Sequence, residues 1–318
     1  MRKALGAAAL GCGIFFSASA LGADIAADTG TMPAATMQRL LLLDARRIGD
    51  RIVAVGDHGY IVLSDDGGKS WRRAKAPAAP LLTAIDFADD KHGLAVGHDT
   101  TVLETSDRGE TWTQRLSDPK AQGPLLDVAF VGKDQAIAVG SYGAFYESSD
   151  GGKTWAPRKV TADDKHFNAI VPLGEGRLMI VGEAGTILTS TDLGKTWAAS
   201  SSPYQGSFFG AQPATDGSIV AYGMRGHILR STDKGKSWQA VENASNASLL
   251  GSERLPDGSL VLAGAAGTAL VSRDNGISFQ PIPTGTTRAL VKPLPGGPST
   301  VLLLGEAGSR EATLAPRK

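Results

Sequence analysis

One cysteine, Cys12, stands in a chain of 318 residues, so neither an intrachain disulfide framework nor a cysteine-rich zinc site can form. Surplus charge is lacking too. The 32 Lys+Arg balance 32 Asp+Glu, which argues against general nucleic-acid or membrane-surface binding, since both need a basic excess. No long apolar run occurs after the first twenty-odd residues, so no membrane insertion of the mature chain is expected. A phosphate-binding loop, a dinucleotide fingerprint and a Ser-His-Asp signature are all missing, and no cofactor is expected. Stretches of about 10–15 residues with helical periodicity are missing as well, which excludes a helical repeat. Glycine is abundant, with 40 residues against an average share of roughly 7 %. Its even spread points to many tight turns between short strands. The hydrophobic fraction of 42% is enough to fill a core.

The N-terminus reads as a separate object. Arg2 and Lys3 precede an apolar run from Ala4 to Phe16, and Ala18-Ser19-Ala20 forms an A-x-A cleavage signature. This pattern predicts a secretory signal peptide over residues 1–20. The run is too short to span a bilayer, which takes about 20 residues. Cleavage there removes Cys12. Gly11-Cys12 is a poor lipoprotein cleavage box, because Ala9 stands where leucine is wanted. The expected product is a soluble, exported, monomeric domain over residues 21–318.

That domain repeats itself. Six segments read S-x-D-x-G-x-[ST]-[WF]: Ser64–Trp71, Thr105–Trp112, Ser148–Trp155, Ser190–Trp197, Ser231–Trp238 and Ser272–Phe279. Their aromatic residues are spaced 41, 43, 42, 41 and 41 apart, and all five tryptophans fall at this one position. A second landmark, an apolar run ending in glycine, recurs at Gly56, Gly97, Gly140, Gly182, Gly223, Gly264 and Gly305. Gly305 marks a seventh repeat whose Asp motif has decayed. A period of this length with only short apolar runs predicts an all-β fold, a seven-bladed propeller of four-stranded blades. The repeats run from about residue 40 to 314. In the motif, Asp66, Asp107, Asp150, Asp192, Asp233 and Asp274 are expected to accept hydrogen bonds from turn amides. Trp71, Trp112, Trp155, Trp197, Trp238 and Phe279 are expected to bury their rings. These residues read as structure. The seventh repeat ends after its third strand, near Glu311–Leu314. Stepping back 41 residues from Trp71 reaches Gly30, so residues 28–36 are expected to supply the missing strand and close the ring.

The sequence V-G-x-x-G-x-I-L-x-S-x-D-x-G-K-T-W stands almost complete at Val181–Trp197. It resembles the bacterial neuraminidase (Asp-box) repeat in the form used by the photosystem II assembly and stability factor family. The resemblance covers residues from about 28 to 314. It implies a seven-bladed periplasmic or thylakoid-lumenal propeller without catalytic activity. Such a protein binds a membrane-associated protein client and assists assembly or stability of an envelope or thylakoid complex. The alternatives are a sialidase-like, glycan-active or glycan-binding propeller, and an accessory subunit of an envelope transporter.

A sialidase-type site needs three converging arginines, because the guanidinium fork binds a carboxylate bidentately. Strand alternation puts Asp86, Ala129, Val171, Gln212, Glu253 and Lys292 in one channel row and Ala84, Asp127, Ala169, Gly210 and Gly251 in another. Neither row holds an arginine. Asp86, Asp127 and Glu253 are expected to be solvated channel carboxylates. Partner recognition is read instead from what varies around the ring. His58, His98, Tyr142 and Arg225 lie in the turns between second and third strands, with Asp57 and Asp99 beside the two histidines. Arg72, Arg73, Arg115, Arg158 and Lys159 follow the tryptophans of blades 1–3, where the matching segments of blades 4 to 6 lack Lys and Arg. This basic half of the rim is the candidate docking surface for an acidic or phosphate-bearing partner.

Overall fold

The computed structural model describes residues 30–121, 123–243 and 245–316. The predicted signal peptide, with its cleavage site, lies outside these residues. Seven antiparallel sheets succeed one another along the chain, six of four strands and one of three among the described residues. Blade 1 is Leu42–Ile48, Arg51–Gly56, Ile61–Ser64 and Arg72–Arg73, counted from the channel outward. Blade 2 is Leu82–Phe87, Gly93–Gly97, Thr101–Thr105 and Thr113–Leu116. Blade 3 is Leu125–Phe130, Ala136–Gly140, Phe145–Ser148 and Ala156–Pro157. Blades 4 to 6 repeat the plan, and blade 7 holds Leu290–Pro295, Thr300–Gly305 and Gly308–Thr313. The propeller read from the sequence is the propeller observed.

The recurring glycine has a steric cause. At Gly56 a Cβ would stand 2.0 Å from the carbonyl oxygen of Leu41, and at Gly97, 2.1 Å from that of Leu81. The other five meet the equivalent carbonyl at 2.1–2.2 Å. Gly56 has an extended backbone, with φ 175, so close approach to the entering chain, rather than a left-handed conformation, demands glycine here. Each inner strand also carries a register shift beside this glycine.

The Asp motif is a hydrogen-bonded knot. Asp150 Oδ1 accepts from Ser148 Oγ and from the Lys153 and Thr154 amides at 2.8–3.0 Å, and Oδ2 accepts from Thr154 Oγ1 at 2.7 Å. The Thr154 hydroxyl, then the Thr154 amide, draw the Asp150 carboxyl down to about 2. Asp192 and Asp233 are held at about 2 by Thr196 and Ser237 in the same way. The rings of Trp71, Trp112, Trp238 and Phe279 are buried, whereas Trp155 and Trp197 are half-buried. Trp71, Trp112 and Trp155 donate Nε1–H to the motif glycine's carbonyl at 2.9–3.0 Å. At Trp197 and Trp238 that carbonyl is taken, by Arg158 and by Ser200 Oγ respectively, and the indole nitrogens have no partner among the described residues.

The ring closes with blade 1 against blade 7, but not through the expected strand. Thr31 bridges Arg72 on the outer edge of blade 1, and Met32 N–H donates to the Trp71 carbonyl at 2.6 Å. Ala34–Met37 is a single helical turn behind Pro33. Proline offers no N–H to a ladder and presets the helical φ, so Pro33-Ala34-Ala35 turns away from strand pairing. Among the described residues, Gly308–Thr313 therefore pairs with Thr300–Gly305 alone. Met37, Leu40 and Leu42 instead pack with Leu294, Leu302 and Leu304, and Gly308 N–H donates to the Leu40 carbonyl at 3.0 Å. Asp28 and Thr29 of the proposed closing strand lie outside the described residues.

Candidate functional site

The inner strands enclose a channel cavity of about 500 Å³. Its wall carries a polar circuit that passes from blade to blade. Asp44 of blade 1 accepts from the Ile85 amide of blade 2 at 3.0 Å, and Arg46 Nε donates to Asp86 at 3.1 Å. Asp86 accepts from the Phe130 amide of blade 3 at 2.9 Å. Asp127 accepts from Val128 N–H at 2.8 Å and, across to blade 4, from Ile170 N–H at 2.9 Å. Asn168 Nδ2 donates to the Phe208 carbonyl of blade 5 at 2.8 Å. Tyr222 OH and Gln212 Oε1 meet Ser252 Oγ of blade 6 at 3.0 Å. Lys292 of blade 7 lies 3.3 Å from Glu253 and 3.7 Å from Asp44, which returns the circuit to blade 1.

These contacts define what the channel acids do. Asp44, Asp86 and Asp127 each cap a backbone amide of the next blade, where an inner strand has no ladder partner. Burial, then the nearby Asp44 charge, push the Asp127 carboxyl up to about 7. Burial also pushes the Tyr222 phenol up. The two channel rows read from sequence omitted blade 1, and with it Arg46. The blade 1 hairpin turns directly from Ile48 to Arg51, one residue tighter than the Phe87-to-Gly93 turn once both are counted back from the glycine, so a fixed offset misses it. Arg46 is already held between Asp44 and Asp86, and with Arg254 it makes two guanidiniums on the cavity wall among the described residues, short of three. Asp86 and Asp127, expected to be solvated, are partly withdrawn from water and bonded to protein.

The turns between second and third strands form one face with the blade connectors: the glycines of five of these turns pack against Ala79, Tyr204, Ser245, Thr286 and Met37 carbonyls. His58, Tyr142 and Arg225 sit at the left-handed tips of three of them, with φ 53, 56 and 56. Tyr142 is 57% exposed. Its ring meets His166 edge-on at 4.8 Å, and its amide donates to His166 Nδ1 at 2.9 Å. His98 is exposed in the corresponding turn of blade 2.

The basic rim residues are not free charges. Arg72 donates two bonds to Glu110 at 2.8 and 2.6 Å. Arg73 lies over the Tyr60 ring at 4.4 Å. Arg115 pairs with Glu104 at 2.9 Å, Arg158 with Glu147 at 3.0 Å, and Lys159 with Asp164 at 3.6 Å. The sequence offered no sign of these partners, because the acids come from the third strand, the next blade's motif or a connector.

The family model described as "Photosynthesis system II assembly factor YCF48" matches residues 69–123 and 118–267. The photosystem II assembly lipoprotein Ycf48 of Prochlorococcus marinus (strain NATL2A) is 34% identical over 87 residues, which is 26% of this chain and 26% of that protein. The chloroplastic photosystem II stability/assembly factor HCF136 of Cyanidioschyzon merolae is 32% identical over 101 residues, 30% of this chain and 23% of that one. The chain thus aligns with about a quarter of the length of these curated relatives. Among solved structures, one titled YCF48 bound to D1 peptide superposes with a TM-score of 0.69 at 22% identity, covering 88% of this chain and 93% of that chain. The glycoside hydrolase GH74 of Niastella koreensis gives 0.62 at 19% identity, covering 87% of this chain and 43% of that chain. At such identities these two superpositions speak for the fold alone.

Proposed function

Because the chain belongs to the photosystem II assembly factor YCF48 family, we propose that it is an exported, noncatalytic propeller that binds a protein client and assists assembly or stability of a membrane or envelope complex. The observation that carries the noncatalytic part is the channel circuit. A general acid and base need carboxyls that can reach a substrate. Asp44, Asp86 and Asp127 are instead spent on the amides of neighbouring blades. The solved relative titled as bound to D1 peptide supports a peptide or protein client rather than a sugar. Client contact is assigned to the face bearing His58, His98, Tyr142 and Arg225, where side chains differ from blade to blade. Export rests on the signal-peptide pattern of residues 1–20, and a monomer is the working assembly.

In-cell crosslinking from the Tyr142 and Arg225 turns, followed by identification of the captured protein, tests this reading. A membrane-associated protein is the expected product. Hydrolysis of sialosides or other glycosides by the purified protein, abolished in Asp127→Asn or Glu253→Gln, would overturn it.

A further inference from the structure

Two blade-to-blade clefts are built on equivalent positions and end differently. Between blades 1 and 2, four charged side chains fill the space. Arg51 contacts Asp65 at 2.6 Å and Glu110 at 2.8 Å, and Arg72 reaches Glu110 at 2.6 Å and Asp65 at 3.4 Å. Counted from the recurring glycine and the motif tryptophan, the same positions between blades 3 and 4 are Gln135, Ser149, Ala156 and Lys195. All four line an open cavity of about 500 Å³. Gln135, Ser149 and Ala156, shorter than their counterparts and uncharged, leave vacant what the ion network occupies next door.

The wall of this cavity carries an apolar residue that folding does not explain. Leu193 holds φ 59 at the motif position occupied elsewhere by Gly67, Arg108, Gly151, Lys234 and Asn275. A leucine at positive φ is strained where glycine or asparagine would not be. It is nevertheless 38% exposed and faces the cavity. Trp155 on the same wall is half-buried, while its counterparts Trp71 and Trp112 are 4% and 6% exposed. The charge of the site is also reversed. Lys195 stands where Glu110 stands in the filled cleft. Glu147, the acid lining the cavity, is already held by Arg158 at 3.0 Å. An ammonium is therefore left to complement a carboxylate brought from outside.

We propose that the cleft between blades 3 and 4 docks an extended acidic segment of a protein partner. An apolar side chain of that segment rests on Leu193 and Trp155, and a carboxylate pairs with Lys195. This assignment rests on the protein-client reading and adds to the turns bearing Tyr142 and Arg225 a second contact, at the Asp-motif end of the blades, with its own chemistry.

The probes are two fluorescein-labelled peptides, one alternating leucine with glutamate and one alternating leucine with lysine, followed by fluorescence anisotropy on the full propeller. The leucine–glutamate peptide is expected to bind, and the lysine peptide is not. Leu193→Asn and Lys195→Glu should each weaken binding by about tenfold or more. Leu193→Asn should keep or raise the melting temperature, since it relieves a strained position. The fourfold variant Q135R/S149D/A156R/K195E, which rebuilds the ion network of the filled cleft, should fold and lose binding. Equal binding by the fourfold variant, equal binding of the lysine peptide, or no binding of the acidic one overturns the proposal. A client crosslinked in cells equally by wild type and the fourfold variant overturns the cleft alone. Capture of no client by either, with the acidic peptide still bound, overturns the client reading and supports the cleft.

Discussion

Asp127 should make the propeller less stable as pH rises towards neutrality. Its carboxyl is partly buried in the channel wall, and the loss of water together with Asp44 raises it from 3.8 to about 7. Two backbone amides and Arg46 oppose that rise without cancelling it. The folded state thus keeps a proton that the unfolded chain releases near 3.8. A group whose folded affinity for protons is the higher lends stability that is fully present below 3.8 and is lost as pH climbs to about 7. At about 1.4 kcal/mol for each tenfold difference in proton affinity, the whole window amounts to about 4 kcal/mol. Between pH 5 and 8 about 2–3 kcal/mol of it should be visible. The perturbation is Asp127→Asn, whose amide cannot ionise. Urea unfolding of both proteins at half-unit steps from pH 5 to 8 isolates the effect, because groups with unaltered surroundings cancel in the difference. The wild type should lose stability relative to the variant with rising pH and then level off above about 7. A difference that stays flat from pH 5 to 8 would refute the burial argument, whatever its absolute size.

Lys292→Met should destabilise the ring by about 3 kcal/mol, because it leaves Glu253 and Asp44 facing each other without their shared cation; chemical denaturation measures it, and a loss below about 0.5 kcal/mol would remove Lys292 from ring closure. Trp112→Ala should cost about 3–5 kcal/mol, the range for a large buried aromatic, and Trp155→Ala less, since its side chain is already partly exposed; equal losses in urea melts would contradict that ranking. The motif acids Asp150, Asp192 and Asp233 sit at about 2 rather than 3.8, so their contribution is complete above about 4 and is lost as pH falls towards 2. An Asp150→Asn variant should therefore show a shallower decline in melting temperature between pH 4 and 2 than the wild type, and parallel declines would mean the knot does not depend on ionised carboxylates. Reversing Arg72 and Arg158 to Glu should lower the melting temperature as well as any client binding, because both arginines are tied to neighbouring blades.

The fold was legible because the constraints that build it act at fixed residues of each repeat. Gly56 and its six copies mark a backbone contact that no side chain survives, and Asp150 and its counterparts mark a knot whose every donor lies within four residues. Such local requirements leave a periodic trace. The candidate site was legible only in outline. Asp86 and Asp127 were placed on the channel side by alternation, but their partners, the Phe130 and Ile170 amides, are 44 and 43 residues away. Arg46 was missed because one residue fewer in the first hairpin shifts its count. The cleft beside Leu193 left even less trace, since it arises from four residues, one in a strand and three in turns, that matter only by being small or of the opposite sign. The short helix after Pro33 shows the converse: a local preference overrode the strand that the repeat arithmetic demanded.

The channel circuit has a consequence for how the molecule can come apart. A linear array of repeats frays from its ends, because a terminal unit has one neighbour to lose and the rest keep theirs. A circle has no terminal unit. Every blade here is tied at the axis on both sides, including the junction between blades 7 and 1, so releasing any one blade breaks two junctions at once. Partial unfolding that peels away a single repeat is then as costly at the termini as anywhere else. The position of the chain ends becomes nearly irrelevant to cohesion, and a version of the protein opened at another blade connector and joined across the old ends should melt in the same single step.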